Sequence, residues 1–148
     1  MYKILTYPDE RLLKPTSPVE KIDSVLRDRA IRMYKTMMAN DGVGLAAPQV
    51  GIPLSFFVVQ KGLMSHEIII NPSWKPREDS KKYDAEEGCL SFPGLFLTVK
   101  RFDKIDVEYQ DVDGKINKNM LEGFAAHVFQ HESDHLVGTL LIDHVELK

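Results

Sequence analysis

The sequence predicts a single α+β domain over residues 1–148, built of short antiparallel strands packed around a central metal-binding helix. Three observations carry this. Apolar residues recur at helical spacing in only two segments; short β-rich runs bounded by Gly or Pro lie between them; and the second helix contains His131-Glu132-Ser133-Asp134-His135. At 148 residues the chain is long enough to bury most of its surface around one core.

The elements follow in order. Residues 1–22 carry Pro8, Pro15 and Pro18, so an extended, loop-like lead is expected. A helix is predicted from Ser24 to Asn40, with Leu26, Ala30, Met33, Tyr34, Met37 and Met38 on its apolar face. Asp23 or Ser24 caps its start, and Asn40-Asp41-Gly42 stops it. This helix is expected outside the strands. Leu54 to Gln60 and Glu67 to Asn71 are β-branched and aromatic, and read as strands. Ile105, Val107 and Tyr109 alternate with Asp106, Glu108 and Gln110, as in a half-buried strand. Asp111 to Lys115 is a turn, and Ile116 to Leu121 the returning hairpin strand. The second helix is predicted from Glu122 to Val137. Leu121, Ala125, Val128, Phe129 and Leu136 share one side of it, and Gly138 follows as the C′ residue.

Composition excludes several function classes. With 19 Lys+Arg against 22 Asp+Glu and a net charge of −3, no broad nucleic-acid footprint is expected. The single cysteine permits no intramolecular disulfide and suits a reducing compartment. The N-terminus lacks the apolar core of a secretion signal, and the runs 56–59 and 68–70 are far too short to span a bilayer. The expected location is the cytoplasm, with neither nucleic acid nor membrane as partner.

Chemistry is concentrated in three segments. His131 and His135, at i and i+4, project from one helical face and can reach one metal ion, while Glu132 is offset to act on a water there. Zinc peptidases with H-E-x-x-H take a third ligand downstream. Here the position of a longer H-x-x-G-x-x-H extension is Leu141, and only Asp143, His144 and Glu146 remain as donors. The strong upstream candidate is Cys89, in Glu87-Gly88-Cys89-Leu90-Ser91, placed in a constrained loop. One thiolate and two imidazoles leave a fourth position open, as catalysis needs. The third segment, from Gly42 to Gln49, lacks the Lys-Ser/Thr of a phosphate loop. Its glycines permit close backbone approach, and the Gln49 amide can donate to a developing oxyanion.

Together, Gly42 to Gln49, Glu87 to Ser91 and His131 to His135 resemble the three motifs of peptide deformylases, in order and at their spacing, over nearly the whole chain. The resemblance implies removal of the formyl group from the N-terminal formylmethionine of nascent polypeptides, releasing formate. It implies Cys89, His131 and His135 as ligands of Fe²⁺, replaceable by Zn²⁺, Ni²⁺ or Co²⁺. Glu132 would be the general acid–base, with the Leu90 N–H and the Gln49 amide supporting the oxyanion. Gly44 and Gly88 would lie along an extended substrate, and Val43, Phe124 and His127 would line the methionine pocket. Glu87, Arg101 and Asp134 are expected to form a buried network behind Cys89.

Two residues depart from the family pattern: Ser133 and His127 stand where aliphatic or other apolar residues are usual. The chain stops soon after the metal helix, which resembles short, bacteriophage-type members. In the cytoplasm of a bacterium or a phage-infected host, such a form is expected to reach formylated nascent peptides without stable ribosome docking. The alternative among enzymes is a metal aminopeptidase or amidase using the same helix, and the alternative of a different class is a non-catalytic binder of formylated N-termini.

Overall fold

The structure is a computed structural model describing residues 1–144. Its element order is α1 (Ser24–Ala39), β1 (Gly44–Ala46), β2 (Phe56–Val59), β3 (Ile68–Pro76), β4 (Lys82–Cys89), β5 (Phe92–Phe102), β6 (Lys104–Gln110), β7 (Ile116–Glu122) and α2 (Gly123–Leu136). Five strands form an antiparallel sheet in the order β1-β2-β3-β6-β7, while β4 and β5 pair as a separate hairpin.

The run Phe56-Phe57-Val58-Val59 is apolar throughout because both faces of the sheet are covered. Phe56 and Val58 meet Leu26, Ala30, Met33 and Met37 of α1, whereas Phe57 and Val59 meet Ala126, Val128 and Phe129 of α2. The first helix therefore lies outside the strands, as expected, and closes the sheet face opposite α2. It starts where Asp23 accepts from the Leu26 N–H at 3.0 Å, the expected cap. Met38, assigned to its apolar face, is 44% exposed; Thr36 is buried instead, its hydroxyl donating to the Arg32 carbonyl and accepting from the Tyr2 N–H. Likewise Ala126, not Ala125, faces the core from α2.

The strands differ from those predicted in several places. The strand expected to end at Asn71 continues to Pro76, because a register shift between Ile70 and Ser73 absorbs the Asn71-Pro72 break. Asn71 sits at φ +50°, and its amide is tied to both the N–H and the carbonyl of Val19. The β4–β5 hairpin was not predicted at all. Its β4 strand is charge-rich and the Pro93-Gly94 pair interrupts β5, although Leu95, Leu97 and Val99 alternate with Phe96, Thr98 and Lys100; Leu5, Leu12, Val99, Leu140 and Leu141 bury its inner side in a third cluster. The proline-rich lead is strapped across the fold by Leu5 N–H to the Gln49 carbonyl, Tyr7 N–H to the Ser91 carbonyl, and Thr16 N–H to the Leu136 carbonyl. Gly138 follows α2 at φ +75°. A Cβ there would lie 2.5 Å from the Leu13 carbonyl oxygen, so glycine alone fits.

Candidate metal centre and its cavity

The helix α2 is docked where β5 passes it. Gln130, buried, accepts from the Phe102 N–H at 3.0 Å and donates to the Phe102 carbonyl at 2.8 Å. This pair of hydrogen bonds to a strand backbone sets the rotation of the following helical segment, which carries His131, Glu132 and His135. Cys89 is the last residue of β4, at a register break after Gly88, and not in a loop as expected from sequence. The break turns its side chain toward α2.

The donor atoms of Cys89, His131 and His135 lie within 4.8 Å of one another. Cys89 Sγ and His135 Nε2 are 3.4 Å apart. Ligands about 2.0–2.3 Å from a tetrahedral centre stand roughly 3.4–3.7 Å from one another, so this donor set fits one divalent ion. Gln49 has its amide oriented by the Ala46 N–H, which donates to its Oε1 at 2.9 Å. Its Nε2 donates to Ser91 Oγ at 3.1 Å and approaches Cys89 Sγ at 3.5 Å.

Behind the donors stands Glu87. Its Oε1 accepts from Arg101 Nη2 (2.8 Å) and His131 Nδ1 (2.7 Å); its Oε2 accepts from Arg101 Nε (2.6 Å) and His127 Nε2 (2.5 Å). Burial alone would raise this carboxyl, but the donors from Arg101, His127 and His131 hold it well below the usual carboxylate range. An ionised carboxylate only accepts, so His131 donates through Nδ1 and keeps the Nε2 lone pair for a metal. Arg101 continues to Asp134 Oδ2 at 2.8 Å, which also meets His144 Nε2 at 2.8 Å.

Glu132 is 3% exposed, and its Oε1 has no hydrogen-bond partner among the described residues. Burial pushes its carboxyl up to about 7. Its other oxygen lies against the β1 backbone: a Cβ on Gly44 would stand 2.5 Å from Glu132 Oε2. Burial and the neighbouring His131 hold His135 well below the usual imidazole range. Burial also works against a proton on His131, but Glu132, Cys89 and Glu87 outweigh it and pull that imidazole up. Surroundings this anionic favour a cation.

These groups open into a cavity of about 820 Å³ lined by Gly44, Gln49, Gly88, Cys89, Leu90, His131 and Glu132, among others. The sequence matches the polypeptide deformylase family over residues 1–148. The chain belongs to that family. The peptide deformylase of Thermotoga petrophila is 47% identical over 145 residues, covering 98% of this chain and 87% of that protein. That of Aquifex aeolicus is 43% identical over 148 residues, covering 97% and 86%. A crystal structure of the Thermotoga maritima peptide deformylase matches with a TM-score of 0.92 at 44% identity, covering 99% of each chain. The Synechococcus elongatus peptide deformylase in complex with actinonin matches with a TM-score of 0.92 at 37% identity, covering 99% of this chain and 80% of the other.

Cys89, His131, Glu132, Gln49, Leu90, Val43, Gly44, Gly88, Phe124 and His127 all line the deformylase cavity, whereas His135, 2% exposed, does not, and Arg101, Ser133 and Asp134 lie outside its lining. Val128, 4% exposed, lines its inner wall, whereas Val43 (38%) and Phe124 (55%) stand at its mouth. His127 lines the cavity while its Nε2 is taken by Glu87. Leu90, in the two-residue turn between β4 and β5, lines the cavity beside Cys89. Of the downstream donors weighed for the metal, His144 is engaged by Asp134 and Asp143 accepts from the Leu140 N–H; Glu146 lies outside the described residues. Sequence reasoning missed Gln130, for which a buried polar position in a helical pattern was the available signal. It also missed Phe96, which belongs to the unrecognised hairpin.

Proposed function

We infer that this deformylase removes the N-formyl group from the N-terminal formylmethionine of newly made polypeptides, releasing formate, and that Cys89, His131 and His135 hold its divalent ion. The convergence of those three donor atoms within 4.8 Å, beside a buried Glu132 with an unpartnered oxygen, carries the reading. A divalent ion bound there supplies a Lewis acid that polarises the formyl group and acidifies a water. The mixed thiolate and imidazole donors suit Fe²⁺, Zn²⁺, Co²⁺ and Ni²⁺, and Fe²⁺ is proposed as the native ion.

The chain's own groups do the rest. Glu132, with a carboxyl near 7, takes the proton of the attacking water and returns it to the leaving amine. The Gln49 amide, 3.5 Å from Cys89 Sγ, and the Leu90 N–H donate to the oxyanion. β1 is an edge strand, bonded on one side only to β2, and β4 is bonded only to β5. Gly44 and Gly88 thus offer open backbone edges along the cavity, where an extended peptide can add as a strand. Such edges recognise any peptide backbone, which fits a substrate class of nascent chains with diverse sequences. No described helix is long and apolar enough to cross a membrane.

Formate release from formyl-Met-Ala-Ser, by protein purified without oxygen and with metal analysis on the same sample, tests this. Cleavage of the unformylated peptide in place of formate release would overturn it in favour of an aminopeptidase.

A further inference from the structure

A chain of hydrogen bonds leaves the metal donors and runs outward to the surface. It starts at His131 Nδ1 on Glu87, passes to Arg101, and reaches Asp134 Oδ2 through Arg101 Nη1 at 2.8 Å. It ends at His144, whose Nε2 meets the same Asp134 Oδ2 at 2.8 Å. Local structure brings this last residue back to the helix. After α2, Gly138 turns the chain at φ +75°, and the Thr139 N–H donates to the Asp134 carbonyl at 2.9 Å. Asp143 Oδ2 accepts from the Leu140 N–H at 2.7 Å and starts a single 3-10 turn, Leu141–His144. Leu140 and Leu141 are buried with Phe92 and Val99 of β5, and Cys89 packs against the same cluster. The segment that carries His144 therefore touches the Cys89 strand through apolar contact and reaches His131 through charged groups.

We propose that His144 is a positioning residue for the metal centre, acting on His131 through Asp134, Arg101 and Glu87. The proposal rests on the metal ligands inferred above. A guanidinium is a rigid plane whose donors point in fixed directions. Nε and Nη2 of Arg101 hold the two oxygens of Glu87, while Nη1 holds Asp134. A tilt of that plane swings the Glu87 carboxylate and shifts its Oε1 against His131 Nδ1, the contact that orients the imidazole. Asp134 fixes the tilt only while its own oxygen is fixed. The Glu87 and Arg101 side chains are sealed from water, but that of Asp134 is 20% exposed, and water competes there for Oδ2. His144 supplies a second donor at that oxygen. A carboxylate paired with Arg101 only accepts, so His144 donates through Nε2. His144 lies outside the lining of the cavity, so its effect reaches the ion only through this chain.

The test uses His144→Phe, which keeps a ring without the donor, and His144→Gln, whose amide nitrogen can take the place of Nε2. Co²⁺ affinity is read by chelator competition, kcat and KM by formate release from formyl-Met-Ala-Ser at saturating Co²⁺, and stability by urea denaturation. His144→Phe should bind Co²⁺ about three- to tenfold more weakly, a smaller effect than losing a direct partner of the ligand. Its kcat should fall with KM unchanged, and the visible bands of bound Co²⁺ should shift as the imidazole reorients. His144→Gln should restore affinity, kcat and spectrum to within about twofold of the parent. In an Asp134→Ala background, His144→Phe should change Co²⁺ affinity by less than about twofold, because the link is already cut. A His144→Phe protein with the parent's Co²⁺ affinity, spectrum and kcat overturns the proposal even if its urea midpoint falls, since that marks packing alone. Full additivity of the two substitutions overturns it as well. A parent protein that binds no Co²⁺ overturns the ligand assignment and the proposal with it, whereas a parent that binds Co²⁺ and is indifferent to His144 overturns the proposal alone.

Discussion

Replacing Glu87 by alanine should do more damage than any other single change behind the metal donors. Its side chain is 2% exposed and its partner Arg101 is 4% exposed, so the pair is withdrawn from water. The carboxylate receives four donors, two on each oxygen. Truncation leaves Arg101 buried with Asp134 alone, and His131 Nδ1 and His127 Nε2 without an acceptor. Breaking a buried pair by removing one partner costs about 3–5 kcal/mol. That is a large share of the roughly 5–15 kcal/mol that holds a domain of this kind together. Loss of the acceptor that orients a metal-binding imidazole weakens metal affinity by about 10- to 100-fold. His127→Leu removes only one of the four donors and should cost about 1–2 kcal/mol, since Arg101 and His131 still hold the carboxylate. The sign with pH also follows. The Glu87 carboxyl is held well below its ordinary 4.5, so its contribution is complete above that value and lost only as pH falls toward the depressed one. The deficit of Glu87→Ala should therefore be constant from about pH 5 to 8. Urea denaturation of both proteins across that range, with chelator competition for Co²⁺, measures both effects. A loss below about 1 kcal/mol together with unchanged metal affinity would refute the argument, because a solvated ion pair behaves that way.

In protein stripped of metal, the raised Glu132 carboxyl opposes folding as pH rises. Its contribution is complete below 4.5 and lost as pH passes about 7, so Glu132→Gln should be more stable than the parent by up to about 3 kcal/mol at pH 8 and equal to it near pH 4 in urea titrations. The metal-loaded Glu132→Gln protein should bind its ion and release no formate. Gly44→Ala places a Cβ against Glu132 Oε2, so kcat should fall by about tenfold or more with metal content unchanged; normal kcat would show that the carboxylate has room to move. Because Cys89 is half-buried and Fe²⁺ is oxidisable, the iron enzyme should lose activity in air faster than the nickel or cobalt enzyme, as formate release against time records.

The helices and the metal motif were legible from sequence because they rest on local periodicity. His131 and His135 share a face through helix geometry alone, Asp23 caps α1 through its own neighbours, and Gly138 ends α2 at φ +75°, a conformation that favours glycine. The family motifs likewise named all three donors, although their convergence spans the 42 positions from Cys89 to His131. Tertiary structure alone decided the rest. In the β4–β5 hairpin the apolar alternation of Leu95, Leu97 and Val99 gives way to the buried pair Glu87 and Arg101, whose burial depends on charged and polar groups of α2. The same long-range pairing engaged His127 through Glu87, and it laid Phe96 over Gly88 at the mouth. Such contacts depend on which strands meet which helix across tens of residues, and no spacing within a single segment encodes that.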